Sequence, residues 1–356
     1  MILLYVILLG ICLWGIRLRK VENEISRSYL SKTQTKSIQG VFVIIVLFSH
    51  FSSYVSMEYR FDEWFVYINN KIGQLMVTMF LFYSGYGIME SIKKKRESYI
   101  NGFLTHRMLP VYSRFFLSVI LFIIVDASLG LLGKEYSLVD CLLAFTAWTS
   151  IGNSTWFMFC TFVLYIFVFI SFRWMKNKDM KIPLCILTAL TILYIIVFSL
   201  FIQKGIWWYN TILCFPFGMW FSYYLEKIDK IYKSNRYYFG TLSIVLILFL
   251  GFYLLQDKIP YGYGYCLLAL AFTMLILLFT MKVMVGNILL DFFGTHIFSI
   301  YILQRLTYII FQKFISNVYL FFVVCFTLTI IIAVVFDYAY NRLYKKIIRK
   351  IQHINV

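Results

Sequence analysis

One side chain in this sequence is placed to do proton chemistry inside a membrane. Residues 36–50, KSIQGVFVIIVLFSH, form an apolar run of membrane length that carries His50 past its halfway point. An ionisable group in hydrocarbon is costly, so it is retained where it does work or where a neighbouring helix satisfies it. His50 therefore reads either as a general base or nucleophile that titrates near neutrality, or as a histidine bonded to a carbonyl of another helix. His106, His296 and His353 fall in connections or in the tail, leaving His50 as the candidate at membrane depth.

Two further charged groups lie well inside apolar runs, Asp126 and Arg305. A carboxylate at the depth of His50 can orient an imidazole and stabilise its charged form. Asp126 reads either as that partner or as a group solvated near the outer surface. Arg305 reads either as the partner of Asp126 or as a cation facing a polar cavity. Glu90, Arg114 and Asp337 lie near span ends, where long side chains reach water. The segment IKKKRESYINGFLTHRMLP (92–110) carries Lys93, Lys94, Lys95 and Arg96 in a row, then Arg107 three residues before Pro110. Such cations, Arg107 foremost, can hold the phosphates of a cytoplasmic donor, or they are the basic flank that orients a membrane protein.

Composition says what must position these groups. The chain has 356 residues, of which 62% are hydrophobic and 14% charged, with a net charge of +17. That charged fraction is too low for an ordinary soluble domain. The basic residues cluster at the ends of apolar runs, where they meet anionic lipid, so nucleic acid is set aside as a partner. The seven cysteines are scattered without metal-ligand spacing and read as small buried hydrophobes. No metal and no permanently bound cofactor is expected.

The pattern predicts an all-α polytopic transmembrane helix bundle of eleven spans. They lie near 1–16, 39–57, 73–91, 111–132, 155–172, 183–203, 207–225, 239–255, 263–281, 297–313 and 319–341. The organisation is a somewhat detached N-terminal helix (1–16), a basic connection (17–38), a ten-helix core (39–341) and a basic tail (342–356). Of the 33 lysines and arginines, 25 fall in alternate connections and the tail, six in the other connections, and two within spans. By the excess of cations on the cytoplasmic side, the N-terminus is outside and the C-terminus inside. With its helix starting at residue 39, His50 is about 16 Å from the cytoplasmic end, near the bilayer midplane.

Several ordered segments resemble the bacterial membrane acyltransferase family 3, whose members O-acylate surface polysaccharides. QGVFVIIVLFSH is similar to the family's first core helix, which ends in its histidine, here His50. FLFYSGYG resembles the aromatic Ser-Gly segment that follows, with Ser84, Gly85 and the adjoining Tyr86. RMLPVY is similar to the Arg-x-x-Pro entry of the third core helix, with Arg107 and Pro110. TWFMFCTFVLY opens the fourth with Trp156. FPFGMWF and GTHIFSIYILQR resemble later segments, carrying Gly218, Gly294, Ser299, Tyr301 and, at the end, Arg305. The resemblance covers residues 36–341. The chain departs from the family pattern at Gln39, where many members have arginine. It departs again at Cys160 and Thr161, near a common glutamate, and at Gln304, where relatives often have histidine.

The resemblance implies an acyl-CoA-dependent O-acyltransferase of a bacterial cytoplasmic membrane. Its donor is acyl-CoA, with acetyl-CoA the commonest. Its acceptor is a hydroxyl of a surface or lipid-linked glycan. His50 would act as base or nucleophile; from depth and charge alone, Asp126 is the candidate to orient it, and Arg107, Lys95 and Arg96 are the candidates at the donor. Gln39, Ser84, Gly85, Tyr86, Trp156, Ser299, Tyr301 and Arg305 would line the cavity. The alternatives are a glycan-precursor transporter or flippase, with Asp126, Arg305 and His50 lining its path, and a structural partner in polysaccharide assembly. Oligomeric state, a homo-oligomer included, is left open by the sequence.

Overall fold

The computed structural model describes residues 1–19, 27–57, 59–174, 179–202 and 204–354. Residues 20–26 of the basic connection, 175–178 of another and the last two of the tail lie outside them. In chain order the elements begin with α1 (Leu3–Leu13), β1 (Arg17–Leu18), α2 (Lys32–Ser52), α3 (Arg60–Ile72), α4 (Met76–Lys95), α5 (Glu97–Asn101) and α6 (Leu109–Ser128). Next come α7 (Leu138–Ala144), α8 (Trp156–Arg173), α9 (Lys181–Leu200), α10 (Cys214–Tyr223), α11 (Leu225–Tyr232) and α12 (Asn235–Leu255). The chain ends with α13 (Tyr263–Lys282), β2 (Val283–Met284), α14 (Ile288–Thr295), α15 (Ile297–Phe311) and α16 (Val318–Ile354).

Among the described residues the bundle is all-α apart from one short strand pair, and eight segments are long and apolar enough to cross a membrane. The shortfall from eleven has local causes. The run at 1–16 holds only the 11-residue α1, and the run at 297–313 only the 15-residue α15. The run at 207–225 is not one helix. It opens with a 3-10 turn at Ile206–Trp208, and its helix, α10, has ten residues. Conversely, Arg60–Ile72 is helical where a connection was expected and runs into α4 through a 3-10 turn at Gly73–Leu75.

α1 is not detached. Its Tyr5 hydroxyl donates to Asn69 Oδ1 of α3 at 2.6 Å, and its ring meets Phe48 and Phe65 edge-on or tilted at 5.4 and 5.8 Å. At its other end Asn287 Nδ2 donates to the Ile11 and Trp14 carbonyls, and β1 pairs antiparallel with β2. The free carbonyls at a helix end need partners, and here they come from a residue that also caps α14.

α2 starts earlier than the apolar run alone suggests. Ser31 caps it by accepting from the Gln34 amide, and the polar turn from Lys32 onward is helical. Those polar residues find partners within the protein: Gln34 Nε2 donates to the Val285 carbonyl at 2.9 Å, and Ser37 bonds Asp291. His50 therefore sits in the last turn of α2, roughly 27 Å from its start at 1.5 Å per residue, well beyond the expected midpoint.

Two helix crossings hold the core, each built on glycines from both partners. A Cβ on Gly40 of α2 would strike the Leu290 carbonyl oxygen of α14, and one on Gly294 of α14 would strike that of Lys36. Likewise Gly85 of α4 lies against the Phe215 carbonyl of α10, and Gly218 of α10 against that of Phe82. Small residues let membrane helices approach to backbone contact. Gly85 is thus a packing residue, and it lines neither the cavity at His50 nor the one at Arg107. Replacing Gly85 by alanine is expected to destabilise the protein by about 1–3 kcal/mol, since backbone on a neighbouring helix cannot yield as a side chain can. A lowered melting temperature in detergent, read by fluorescence-detected size exclusion, checks this; an unchanged one contradicts the crossing.

Candidate functional site

His50 opens into a cavity of about 450 Å³ walled by five parts of the chain. The end of α2 supplies Val46, Ser49 and His50, and the entry to α4 supplies Gly73, Gln74 and Val77. The segment before α8, together with Trp156 at the start of that helix, adds Trp148, Ser150, Asn153, Ser154 and Thr155, the α9–α10 connection adds Lys204, Trp207 and Trp208, and α15 adds Tyr301 and Arg305. His50 Nδ1 is buried and has no hydrogen-bond partner among the described residues. The alternative of a histidine satisfied by a neighbouring carbonyl at this nitrogen is therefore not what the fold builds. The Arg305 guanidinium faces the same cavity, over the Tyr54 ring at 5.9 Å, and its Nε is also without a partner among the described residues.

Much of this wall comes from a connection that dives into the bundle. Ser137 and Asp140 form a capping box at the start of α7, and the chain then turns inward. Ala147, Ile151, Asn153, Ser154 and Thr155 are all buried. Buried loop backbone needs internal partners. Asn153 meets part of that need, accepting from the Ile151 amide at 3.1 Å while its carbonyl accepts from Ser150 Oγ at 2.6 Å. Four tryptophans, Trp148, Trp156, Trp207 and Trp208, surround the cavity. Lys204 is held among them: its Nζ donates to the Trp148 carbonyl at 3.1 Å and lies 4.6 and 4.9 Å from the Trp148 and Trp208 ring centres. Gln74 Nε2 bonds Asn210 Oδ1 at 3.1 Å. Of this group the sequence reading picked out only Trp156. The Trp-Trp pair at 207–208 and the tryptophan at 148 were the available signal, but nothing in the sequence says that those connections converge.

A second cavity, of about 300 Å³, lies against Arg107. Its wall is largely apolar, with Phe80 and Leu81 of α4, Val111 of α6, Phe157 and Met158 of α8, Phe215 of α10 and Ile297 and Phe298 of α15; Gln39, Ser84 and Thr161 add polar atoms. Arg107 stands on a π-helical turn, Leu104–Met108, closed by the Leu109 amide bonding the Leu104 carbonyl. Pro110 follows and has no N–H, so the next α-type bond cannot form, and the backbone adopts the wider turn common at functional sites. Arg107 Nη2 reaches Ser84 Oγ at 3.5 Å, the guanidinium lies 5.6 Å from the Tyr165 ring centre, and Ser84 Oγ is 3.2 Å from the Tyr165 hydroxyl. Arg107 Nε has no partner among the described residues. Arg114, one helical stretch further on, faces the same cavity; it is braced by Asn341 Oδ1 at 3.1 Å and by the Tyr340 ring at 4.4 Å.

The remaining sequence candidates fall elsewhere. Asp126 is fully buried in α6, and neither carboxylate oxygen has a hydrogen-bond partner among the described residues. It makes no bond to His50 and no ion pair with Arg305. The expected orienting pair is absent: Asp126 does not line the His50 cavity, and neither of its oxygens bonds the imidazole. Lys95 and Arg96 are exposed at the end of α4, and neither lines the Arg107 cavity. Tyr86 stacks on Phe82 within α4.

Ser299 has a structural partner in place of a cavity position: its Oγ donates to Asp337 Oδ1 at 2.6 Å, while His296 Nδ1 meets Asp337 Oδ2 at 2.6 Å. This ties the α14–α15 elbow to α16. Asp337→Asn is expected to weaken the His296 contact and lower stability by about 1 kcal/mol, the lower end of the scale for a polar group that loses its partner, since the pair is only partly buried. Thermal unfolding in detergent reads it; an unchanged transition overturns the clasp.

Among the described residues no cluster of histidine, cysteine and carboxylates has the makings of a metal site. Compared with known proteins, residues 36–338 match the model of a family described as an acyltransferase domain, acyltransferase family 3. No curated protein and no solved structure matches the chain.

Proposed function

Because the chain belongs to the acyltransferase family 3 of membrane acyl-transferring proteins, we propose that it moves an acyl group, acetyl in the first instance, from acyl-CoA to a hydroxyl of a surface or lipid-linked glycan. The observation that carries this reading is a pair of cavities that share one wall residue, Tyr301, with an imidazole whose Nδ1 has no partner among the described residues in one and two arginines in the other. An apolar cavity flanked by Arg107 and Arg114 suits a thioester arm whose phosphates lie at the basic end of the bundle. A cavity ringed by tryptophans and amide side chains suits a sugar, with apolar ring faces against the indoles and hydroxyls against polar atoms.

In this reading the basic connections are cytoplasmic and the His50 cavity lies toward the outer face of a bacterial cytoplasmic membrane. The sugar hydroxyl oxygen attacks the thioester carbonyl carbon, and the His50 imidazole takes the hydroxyl proton. The tetrahedral oxyanion is stabilised by the Arg305 guanidinium. Its collapse breaks the C–S bond, and the departing thiolate receives the proton from the imidazolium, giving an ester and free CoA. Where His50 acts as nucleophile, the same atoms pass in two steps through an acyl-imidazole.

The test is label transfer from radiolabelled acetyl-CoA into glycan and lipid fractions, comparing native membranes with and without the gene. Gene-dependent labelling that survives removal of free acetate and thioester is expected. Its absence from membranes that contain the folded protein sinks the reading.

A further inference from the structure

The two cavities meet at one shared wall residue, and aromatic rings pack around it. Tyr301 lines both, and it is 4% exposed. On one side its ring is 6.1 Å from His50. On the other it meets Phe157, on the Arg107 cavity wall, edge-on at 5.3 Å. Phe157 is itself braced edge-on by Trp156 at 5.7 Å and by Phe80 at 6.3 Å, so rings run unbroken from one cavity to the other.

The backbone that carries Tyr301 has little room to move. Ile300, Ile302 and Leu303 beside it are at most 1% exposed, and Ser299 is bonded to Asp337. A passage through this wall opens by side-chain rotation, and its width is set by the two rings.

We propose that Tyr301, backed by Phe157, sets the length of acyl group that can pass from the Arg107 cavity to His50, an inference that rests on the acyl-transfer reading above. The acyl carbon must come to the hydroxyl held at His50 while its chain still lies in the partition. An acetyl methyl is small enough to sit beside the phenol ring. Each added methylene must displace a ring that is packed on both sides. Stiff apolar walls of this kind discriminate by about 10- to 200-fold per methylene.

The experiment uses the full chain in native membranes, with radiolabelled acetyl-CoA and butyryl-CoA as donors and label in the glycan and lipid fractions as the readout. The ratio of kcat/KM for butyryl to that for acetyl is compared among the wild type, Tyr301→Ala, Tyr301→Phe and Phe157→Leu. Tyr301→Ala is expected to raise the ratio by about tenfold or more. Phe157→Leu raises it less, and Tyr301→Phe, which keeps the ring, leaves it unchanged. An unchanged ratio in Tyr301→Ala protein that still transfers acetyl overturns the proposal. So does a Tyr301→Phe ratio that moves as far as the alanine variant, since the hydroxyl would then be the determinant. If Tyr301→Ala fails to accumulate in membranes, Phe157→Leu decides by the same ratio. If the wild type transfers neither group, the acyl-transfer reading falls and this one with it.

Discussion

Replacing His50 by alanine is expected to reduce acyl transfer by about 10²- to 10⁴-fold, the usual contribution of a general base, and so to below detection in most assays. The effect is concentrated in turnover. His50 lies in the tryptophan-lined cavity and not in the one beside Arg107, so donor binding should be close to that of the wild type. The substitution removes a side chain whose Nδ1 has no partner among the described residues, so no bonded network at that nitrogen is broken and the fold should persist. Measured together, size-exclusion behaviour, binding of acetyl-CoA and label transfer separate loss of chemistry from loss of structure. Full transfer by a folded His50→Ala protein would end both the base and the nucleophile versions. Acyl label recovered on wild-type protein and absent from His50→Ala would select the nucleophile.

For Arg107→Lys the expected change is in donor KM. A hydrogen bond to a charged group is worth about 1.5–3 kcal/mol, which corresponds to a weakening of roughly 10- to 100-fold. Lysine keeps the charge but not the planar fork, and the Ser84 and Tyr165 contacts that aim the guanidinium depend on that fork. The turnover of saturated enzyme should change little, because Arg107 lies in the other cavity from His50. Arg114→Gln should weaken binding in the same direction, since that side chain faces the same cavity from α6. A fall in kcat with unchanged KM would place Arg107 in the chemical step and contradict its role at the donor.

The family match, residues 36–338, covers the core helices and leaves α1 outside it. The tether of α1 through Tyr5, Asn287 and the β1–β2 pair nevertheless joins it to α3 and α14, the helices against both ends of α2. α1 therefore buttresses the helix that carries His50.

What the sequence by itself determined was the helical, membrane-type bundle, because apolar runs of spanning length have no other stable arrangement in lipid. It also singled out His50, Arg107, Trp156, Tyr301 and Arg305, since a polar or aromatic group at depth stands out against an apolar background. The number of segments long enough to span was not legible to the residue. Hydropathy does not register the non-helical stretch at 209–213 that precedes α10, nor the helical continuation of α2 through polar residues bonded to distant carbonyls. The partners of each group were not legible at all. Asp126 and His50 sit far apart in the chain at similar expected depth, yet the side a helix presents to its neighbours is set by crossings such as Gly85 on Phe215. Tertiary structure alone turned Ser299 toward Asp337, folded the Trp148 and Trp207–Trp208 connections over His50, and put one tyrosine between two cavities. Contacts between residues remote in sequence depend on which helix faces meet, and periodicity within one helix carries no record of that.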